Sequence, residues 1–215
     1  MSICLAGATG LVGSELVRLL GQHPELSFLT LTRKNISLPG NGKSLVIDWD
    51  RLEDFSDQLI QDTFICCLGS TIKEAGSQEA FRKVDFDYVI RFAKIAAKNK
   101  AKKFLVISAG GANPKSSIFY NRIKGEMEES LRVLDIPQVQ IFRPSLLLGK
   151  RDSFRPAEFV AQKLLSPFNV LLKGNFEKFQ AIESSRVAEA LLLAAIKEKP
   201  GFFIYESDEI KKMKI

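Results

Sequence analysis

Tyr120 and Lys124 stand four residues apart, the spacing that brings two side chains to one face of a helix. A phenol with an ordinary pKa of about 10 moves toward its phenolate when an ammonium lies nearby, and so toward useful acid–base chemistry. In a redox reaction Tyr120 would give a proton to a carbonyl oxygen as hydride reaches the carbon, or take it back in the reverse direction. Lys124 would favour the phenolate and bind the ribose hydroxyls beside a nicotinamide. Such a pair is common by chance, and its setting gives it weight. It opens a helix after a fifth strand, and Ser108 stands at that strand's C-terminal end, the edge at which open α/β sheets gather ligands. Ser108 would polarise and orient the substrate oxygen. Ser116 and Ser117 compete for the role, and a strand-end backbone hydrogen bond is the structural alternative for Ser108.

A second constellation opens the chain. Gly7-Ala8-Thr9-Gly10-Leu11-Val12-Gly13 follows the first apolar run directly. Gly7 permits a tight turn, Gly10 lets backbone approach a pyrophosphate, and Gly13 lets the next helix pack closely on the sheet. The first helical amides, with the positive end of the helix, then face the anion. Thr32-Arg33-Lys34 ends the second strand, where the adenosine ribose of a dinucleotide arrives. An acid there would accept from both ribose hydroxyls of NAD, whereas Arg33 suits the extra phosphate of NADP. NADP(H) is therefore the expected cofactor, with NAD(H) second. Asp48 would accept from the adenine amino group or cap the turn before Leu52. Leu68 and Gly69 leave the fourth strand, where Gly69 permits close approach to the ribose.

These groups need a scaffold with one common edge. Strand-like segments recur at Ile3–Ala6, Phe28–Thr32, Ser44–Asp48, Thr63–Leu68, Lys103–Ser108 and Val139–Arg143, with helical spacing between them. That rhythm predicts an α/β fold, a doubly wound parallel β-sheet flanked by helices on both faces. Helices are expected from Leu11 to before Pro24, over Gln78–Asn99 with Phe81, Val84, Tyr88 and Phe92 inward, over Ile118–Leu134, and over Ser184–Ile196. Glu158–Leu165 reads as a short helix, Phe168–Leu172 and Phe202–Tyr205 as strands. Residues 1–215 form one nucleotide-binding domain in this reading, with 145–215 as a small, less regular, substrate-facing extension. Phe154, Arg155 and Phe159 would either shape its pocket or serve structure alone.

Composition narrows the function classes. With 215 residues and 46% hydrophobic content, the chain can bury one sizeable core. Cys4, Cys66 and Cys67 lie in apolar runs without disulfide or metal spacing, and with His23 the only histidine no metal site is expected. The formal charge of +6 gathers partly in Lys98–Lys103 and Lys211–Lys214, read as solvated surface rather than a specific nucleic-acid site. The opening residues carry no basic leader, and no run approaches the roughly 20 apolar residues of a membrane span, so the expected location is cytoplasmic. A monomer is favoured over a homodimer, because covering the sheet already explains the apolar helix stripes.

The glycine run, Ser108 and YNRIK resemble the atypical short-chain dehydrogenases/reductases. CCLGSTIKEAG, VDFDYV, SAGGANPKSSIFYNRIKGEMEE and IFRPSLLLGKRDSFRP further resemble the HIV Tat-interacting-protein oxidoreductase-like family, from about residue 3 to 165. The resemblance implies an NADP(H)-binding Rossmann-like fold, with Gly7, Gly10 and Gly13 as the phosphate turn and Arg33 on the 2′-phosphate. It implies Ser108, Tyr120 and Lys124 as the catalytic group, acting on a small carbonyl/alcohol substrate. Pro144-Ser145-Leu146 would pass the nicotinamide, with Ser145 adding bulk and a hydroxyl where the family has glycine. Animal members are associated with regulatory protein interactions, so the alternative is a cofactor-binding regulatory or redox-sensing protein with a protein partner and little turnover.

Overall fold

Along the first strand, β1 (Ser2–Ala6), the side chains alternate between two apolar layers: Ile3 and Leu5 enter one, Cys4 and Ala6 the other. A strand apolar on both faces must be covered on both, which is the condition for a buried parallel sheet. The computed structural model describes residues 1–149 and 180–214, and within them β1 lies near the middle of such a sheet. Its neighbours are β2 (Ser27–Thr32), β3 (Gly42–Val46), β4 (Thr63–Cys66), β5 (Lys103–Ile107) and β6 (Gln138–Arg143). A short side pair joins β7 (Leu147–Leu148) to β8 (Ile182–Glu183), and β9 (Gly201–Glu206) closes the large sheet.

The seven strands run in the order β3-β2-β1-β4-β5-β6-β9, every pair parallel. Strand order reverses between β1 and β4, so a crevice opens past their C-terminal ends. Ala6 pairs with Leu31 on one side and Cys66 on the other, which brings Gly7, Thr32 and Cys67 out at the same edge. Helices α1 (Leu11–Leu20) and α6 (Ser184–Ile196) cover one face. A 3-10 segment (Trp49–Gln58), α4 (Tyr88–Lys98) and α5 (Phe119–Arg132) cover the other. Part of the tail assigned above to an extension thus enters the main body, α6 as a covering helix and β9 as an edge strand.

Four local expectations change. The third strand stops at Val46, and Asp48 caps the 3-10 segment instead of ending the strand. A short α2 (Ile72–Ala75) follows β4, built on a capping box between Thr71 and Glu74. The long helix from Gln78 is α3 (Gln78–Arg82), a π turn (Lys83–Asp87) and α4 in succession. The wider turn shifts the buried stripe, so Asp85 and Val89 face inward where even spacing predicted Val84 and Tyr88. The basic run is not all solvated surface: Lys103 is buried and donates to the carbonyls of Ala195 and Lys197 at the end of α6, 2.6 and 3.0 Å away. Glu158–Leu165, Phe168–Leu172, Phe154, Arg155 and Phe159 lie outside the described residues. A last helix, α7 (Ser207–Lys212), packs on α6 and β9.

Candidate functional site

The nucleotide end is made of backbone. Gly7 holds φ at +84°, and a Cβ there would lie 2.5 Å from the Cys67 carbonyl carbon. At Gly13 a Cβ would stand 2.0 Å from the Gly7 oxygen, so the first turn of α1 lies against the loop closely enough to require glycine. Gly10 provides the N-cap without a side chain, and no acid occupies the first turn, which leaves the amides of Leu11, Val12 and Gly13 facing the crevice end of the helix. Such a turn fits a phosphate-bearing dinucleotide. Beside it lies a cavity of about 1150 Å³, lined by Gly7, Thr9, Gly10, Arg33 and Lys34 together with Asp48, Leu68 and Gly69. Leu11, Val12 and Gly13 are buried behind it.

The side chains of this cleft differ in how firmly they are held. Asp48 accepts from the Asp50 amide at 2.9 Å, so the capping alternative is realised while the residue still lines the cleft. Arg33 and Lys34 are exposed. Tyr88 is fixed by donating to Asp50 at 2.9 Å and leans on Trp49, with ring centroids 5.6 Å apart. Burial pushes the Cys66 thiol up to about 12 and the Cys67 thiol well above its ordinary value, which favours the neutral thiol at both. Among the described residues no group of three or more His, Cys, Asp or Glu is arranged to hold a metal ion.

A second cavity, of about 650 Å³, opens past β5 and β6. Ser108, Tyr120, Arg143, Pro144, Ser145 and Leu146 line it. Since β4 and β5 are adjacent strands, the two cavities share one edge of the sheet. Ser116 and Ser117 do not line either of them; the Ser116 hydroxyl instead accepts from the Ile118 amide just before α5. Ser145 bonds the Gln180 carbonyl and lies 3.0 Å from the Ser207 hydroxyl, tying the Pro144 loop to the C-terminal segment. Tyr120 packs on Phe81, ring centroids 5.4 Å apart.

Two charge groups support this end, and neither pairing was read from the sequence. Lys124 Nζ lies 2.7 Å from Asp85 Oδ1, with side chains 3% and 1% exposed, while Asp85 Oδ2 accepts from the Ser70 amide and hydroxyl. Burial works against the Lys124 charge, but Asp85 and then Tyr120 outweigh it and hold the ammonium above the ordinary lysine value. Glu128, one helical turn after Lys124, accepts from Ser108 Oγ at 2.5 Å and from Arg143 Nε and Nη2 at 3.0 and 2.6 Å. Arg143 also donates to Glu206 at 2.9 Å, and these bonds, Glu128 first, raise its already high pKa further against burial. The spacing of Glu128 after Lys124 was a usable signal. Asp85 carried none, because the π turn that aims it inward breaks the helical period.

The family model for the NAD dependent epimerase/dehydratase family matches residues 3–130. Protein HTATIP2 of Rattus norvegicus is 32% identical over 168 aligned positions, 75% of this chain and 69% of that protein. Protein fmp52, mitochondrial, of Emericella nidulans is 30% identical over 228 aligned positions, 98% of this chain and 97% of that one. The Bordetella bronchiseptica enzyme WbmG, solved in complex with NAD, has a TM-score of 0.70 at 16% identity, over 99% of this chain and 75% of its own. At that identity the likeness shows the fold alone.

Two expectations are corrected by these findings. The preference for NADP(H) is overturned, because six similar structures are solved in complex with NAD. Physically, an exposed guanidinium such as Arg33 donates to ribose hydroxyls as it does to a phosphate, so the residue type alone did not select the phosphorylated cofactor. The cytoplasmic location is overturned by the fungal relatives, which are named as mitochondrial proteins. Nothing in a buried core of this kind records its compartment. No helix among the described residues is long and apolar enough to cross a membrane.

Proposed function

The chain belongs to the NAD dependent epimerase/dehydratase family, and from that premise we propose that it is an NAD(H)-dependent oxidoreductase acting on a carbonyl/alcohol substrate, with Tyr120 as the acid–base. The observation that carries this reading is the shared sheet edge: the glycine turn and its cleft lie past β1 and β4, and the cavity holding Ser108 and Tyr120 lies past β5 and β6. A dinucleotide with its phosphates at Gly7, Gly10 and Gly13 and its adenosine toward Arg33, Lys34 and Asp48 extends along that edge toward Tyr120. Leu68 and Gly69 border its middle, and Pro144, Ser145 and Leu146 the far end.

Bound nicotinamide supplies the hydride chemistry. The chain's own residues supply the proton and the geometry. Tyr120 gives its phenolic proton to the carbonyl oxygen during reduction and recovers one during oxidation. Lys124 sits behind it, held charged by Asp85, and favours the phenolate by its field rather than by reaching the cavity. Ser108 lines the same cavity with its hydroxyl bonded to Glu128.

The test is a NADH titration followed by a carbonyl screen read at the nicotinamide absorbance, on the wild type and Tyr120→Phe. The phenylalanine variant keeps the ring and its packing on Phe81, so NADH binding is expected within about two-fold of wild type while turnover falls roughly 10²-fold or more. Equal turnover of the two proteins would remove Tyr120 from the chemistry. NADH binding with no turnover across the screen would favour the regulatory alternative.

A further inference from the structure

Ser108 has one hydroxyl hydrogen, and its direction is set by its neighbour. Glu128 is gripped by Arg143 on both carboxylate oxygens, at 3.0 and 2.6 Å, an arrangement that belongs to an ionised carboxylate. A carboxylate accepts and cannot donate, so in the Ser108–Glu128 bond the hydrogen belongs to Ser108. Arg143 is itself held from the other side by Glu206, and the Ser108 amide donates to the Phe142 carbonyl at 2.7 Å, so neither partner is easily turned away. Whatever Ser108 offers an occupant of the 650 Å³ cavity is therefore a lone pair.

We propose that Glu128 sets Ser108 as a hydrogen-bond acceptor toward the cavity, so that the substrate is a carbonyl compound carrying an O–H or N–H donor beside its reacting carbon. The inference rests on the assignment of this cavity as the reaction site. Tyr120 gives a proton to the reacting oxygen, and a bare carbonyl has no hydrogen to return to Ser108. A neighbouring hydroxyl or amine does. A substrate lacking it leaves the remaining Ser108 lone pair without a partner on a residue only 4% exposed, the circumstance in which a site rejects a deoxy analogue. Glu128 is a positioning residue in this scheme, and Ser108 the group that meets the ligand.

A matched pair of probes, 2-hydroxyacetophenone and acetophenone, differs by that one hydroxyl. For each, kcat/KM is measured with NADH, and Kd is measured on the protein saturated with NAD+. Wild type is expected to prefer the hydroxyketone by at least about ten-fold in one or both readouts. Ser108→Ala should penalise the hydroxyketone at least about ten-fold more than the plain ketone, and Ser108→Thr, which restores an Oγ, should recover most of the preference. Glu128→Gln can donate from its amide to Ser108 and free the serine hydrogen, so the preference should fall in KM and Kd with little change in the ratio of kcat values.

Equal handling of the two ketones by wild type, failure of the hydroxyketone to bind at millimolar concentration, or an equal penalty on both in Ser108→Ala would each overturn the inference. If Glu128→Gln does not fold, the two Ser108 variants still decide it. A Ser108-dependent preference in binding without any hydride transfer would uphold the acceptor assignment and sink the oxidoreductase reading, so the two fail separately.

Discussion

The two ends of the sheet edge are built from different materials. At the nucleotide end, Gly7, Gly10 and Gly13 bring main chain against main chain, and the first turn of α1 presents amides that no side chain caps. At the reactive end, ion pairs do the positioning: Lys124 with Asp85, both buried, and buried Glu128 with the half-buried Arg143, which Glu206 also holds, and with Ser108. The first site is sensitive to shape and nearly indifferent to charge. The second leaves an unpaired buried charge when either Lys124 or Asp85 is lost. Each end can therefore be broken by its own kind of substitution.

The largest effect is expected at the buried pair. Asp85→Ala strands the Lys124 ammonium where it is 3% exposed, and losing one partner of such a pair costs about 3–5 kcal/mol. The pH dependence fixes the sign. Lys124 holds its proton more tightly in the folded protein than at its ordinary value of 10.5, so the pair's contribution is complete below that value and is lost as pH rises through the higher folded-state value. Urea unfolding of wild type and Asp85→Ala should differ by that amount at pH 7 and converge above pH 10.5. A difference under about 1 kcal/mol at pH 7 would place the pair with ordinary surface bridges and dissolve the contrast between the two ends.

This division also decides what the sequence disclosed. The glycine turn is local: Gly7, Gly10 and Gly13 lie within seven residues, and the strand before them and helix after them are encoded in the same stretch. The parallel sheet, its two-sided cover and the placing of Ser108 near Tyr120 followed from the alternation of apolar runs. The ion groups are not local. Asp85 and Lys124 are 39 residues apart and Arg143 and Glu206 are 63 apart, so they meet only after the sheet has formed. Asp85 was further concealed by the π turn, which breaks the 3.6-residue period that would have marked it as inward. Ser108 was singled out by its place at the strand end, but the direction of its hydroxyl depends on Glu128, and that could only be read from the assembled structure.

A smaller effect, confined to shape, is expected from Gly13→Ala. One methyl group changes no charge, yet it would sit 2.0 Å from the Gly7 oxygen, and backbone on both sides leaves no flexible side chain to yield. Overpacking of this kind costs about 1–3 kcal/mol. Displacing the turn should also weaken NADH binding by roughly ten-fold or more, since the helix amides would no longer meet the phosphates in line. Calorimetric titration and urea unfolding of the same variant read both quantities. Unchanged NADH affinity would mean that the cofactor does not use this turn.

The smallest effect should come from Arg33→Ala, and its smallness is what the contrast requires. Arg33 lines the cleft but is exposed, so its attraction for an anionic cofactor is weakened by water and screened by salt within about 8–10 Å. An exposed charge contact of this kind contributes up to about 1 kcal/mol, which corresponds to less than about five-fold in the Kd for NADH. The loss should shrink between 50 and 300 mM salt, whereas the Gly13→Ala loss should not. If Arg33→Ala instead cost as much as Gly13→Ala and kept its full effect in salt, a side chain would anchor the cofactor as firmly as the backbone turn, and the nucleotide end would be organised like the reactive one.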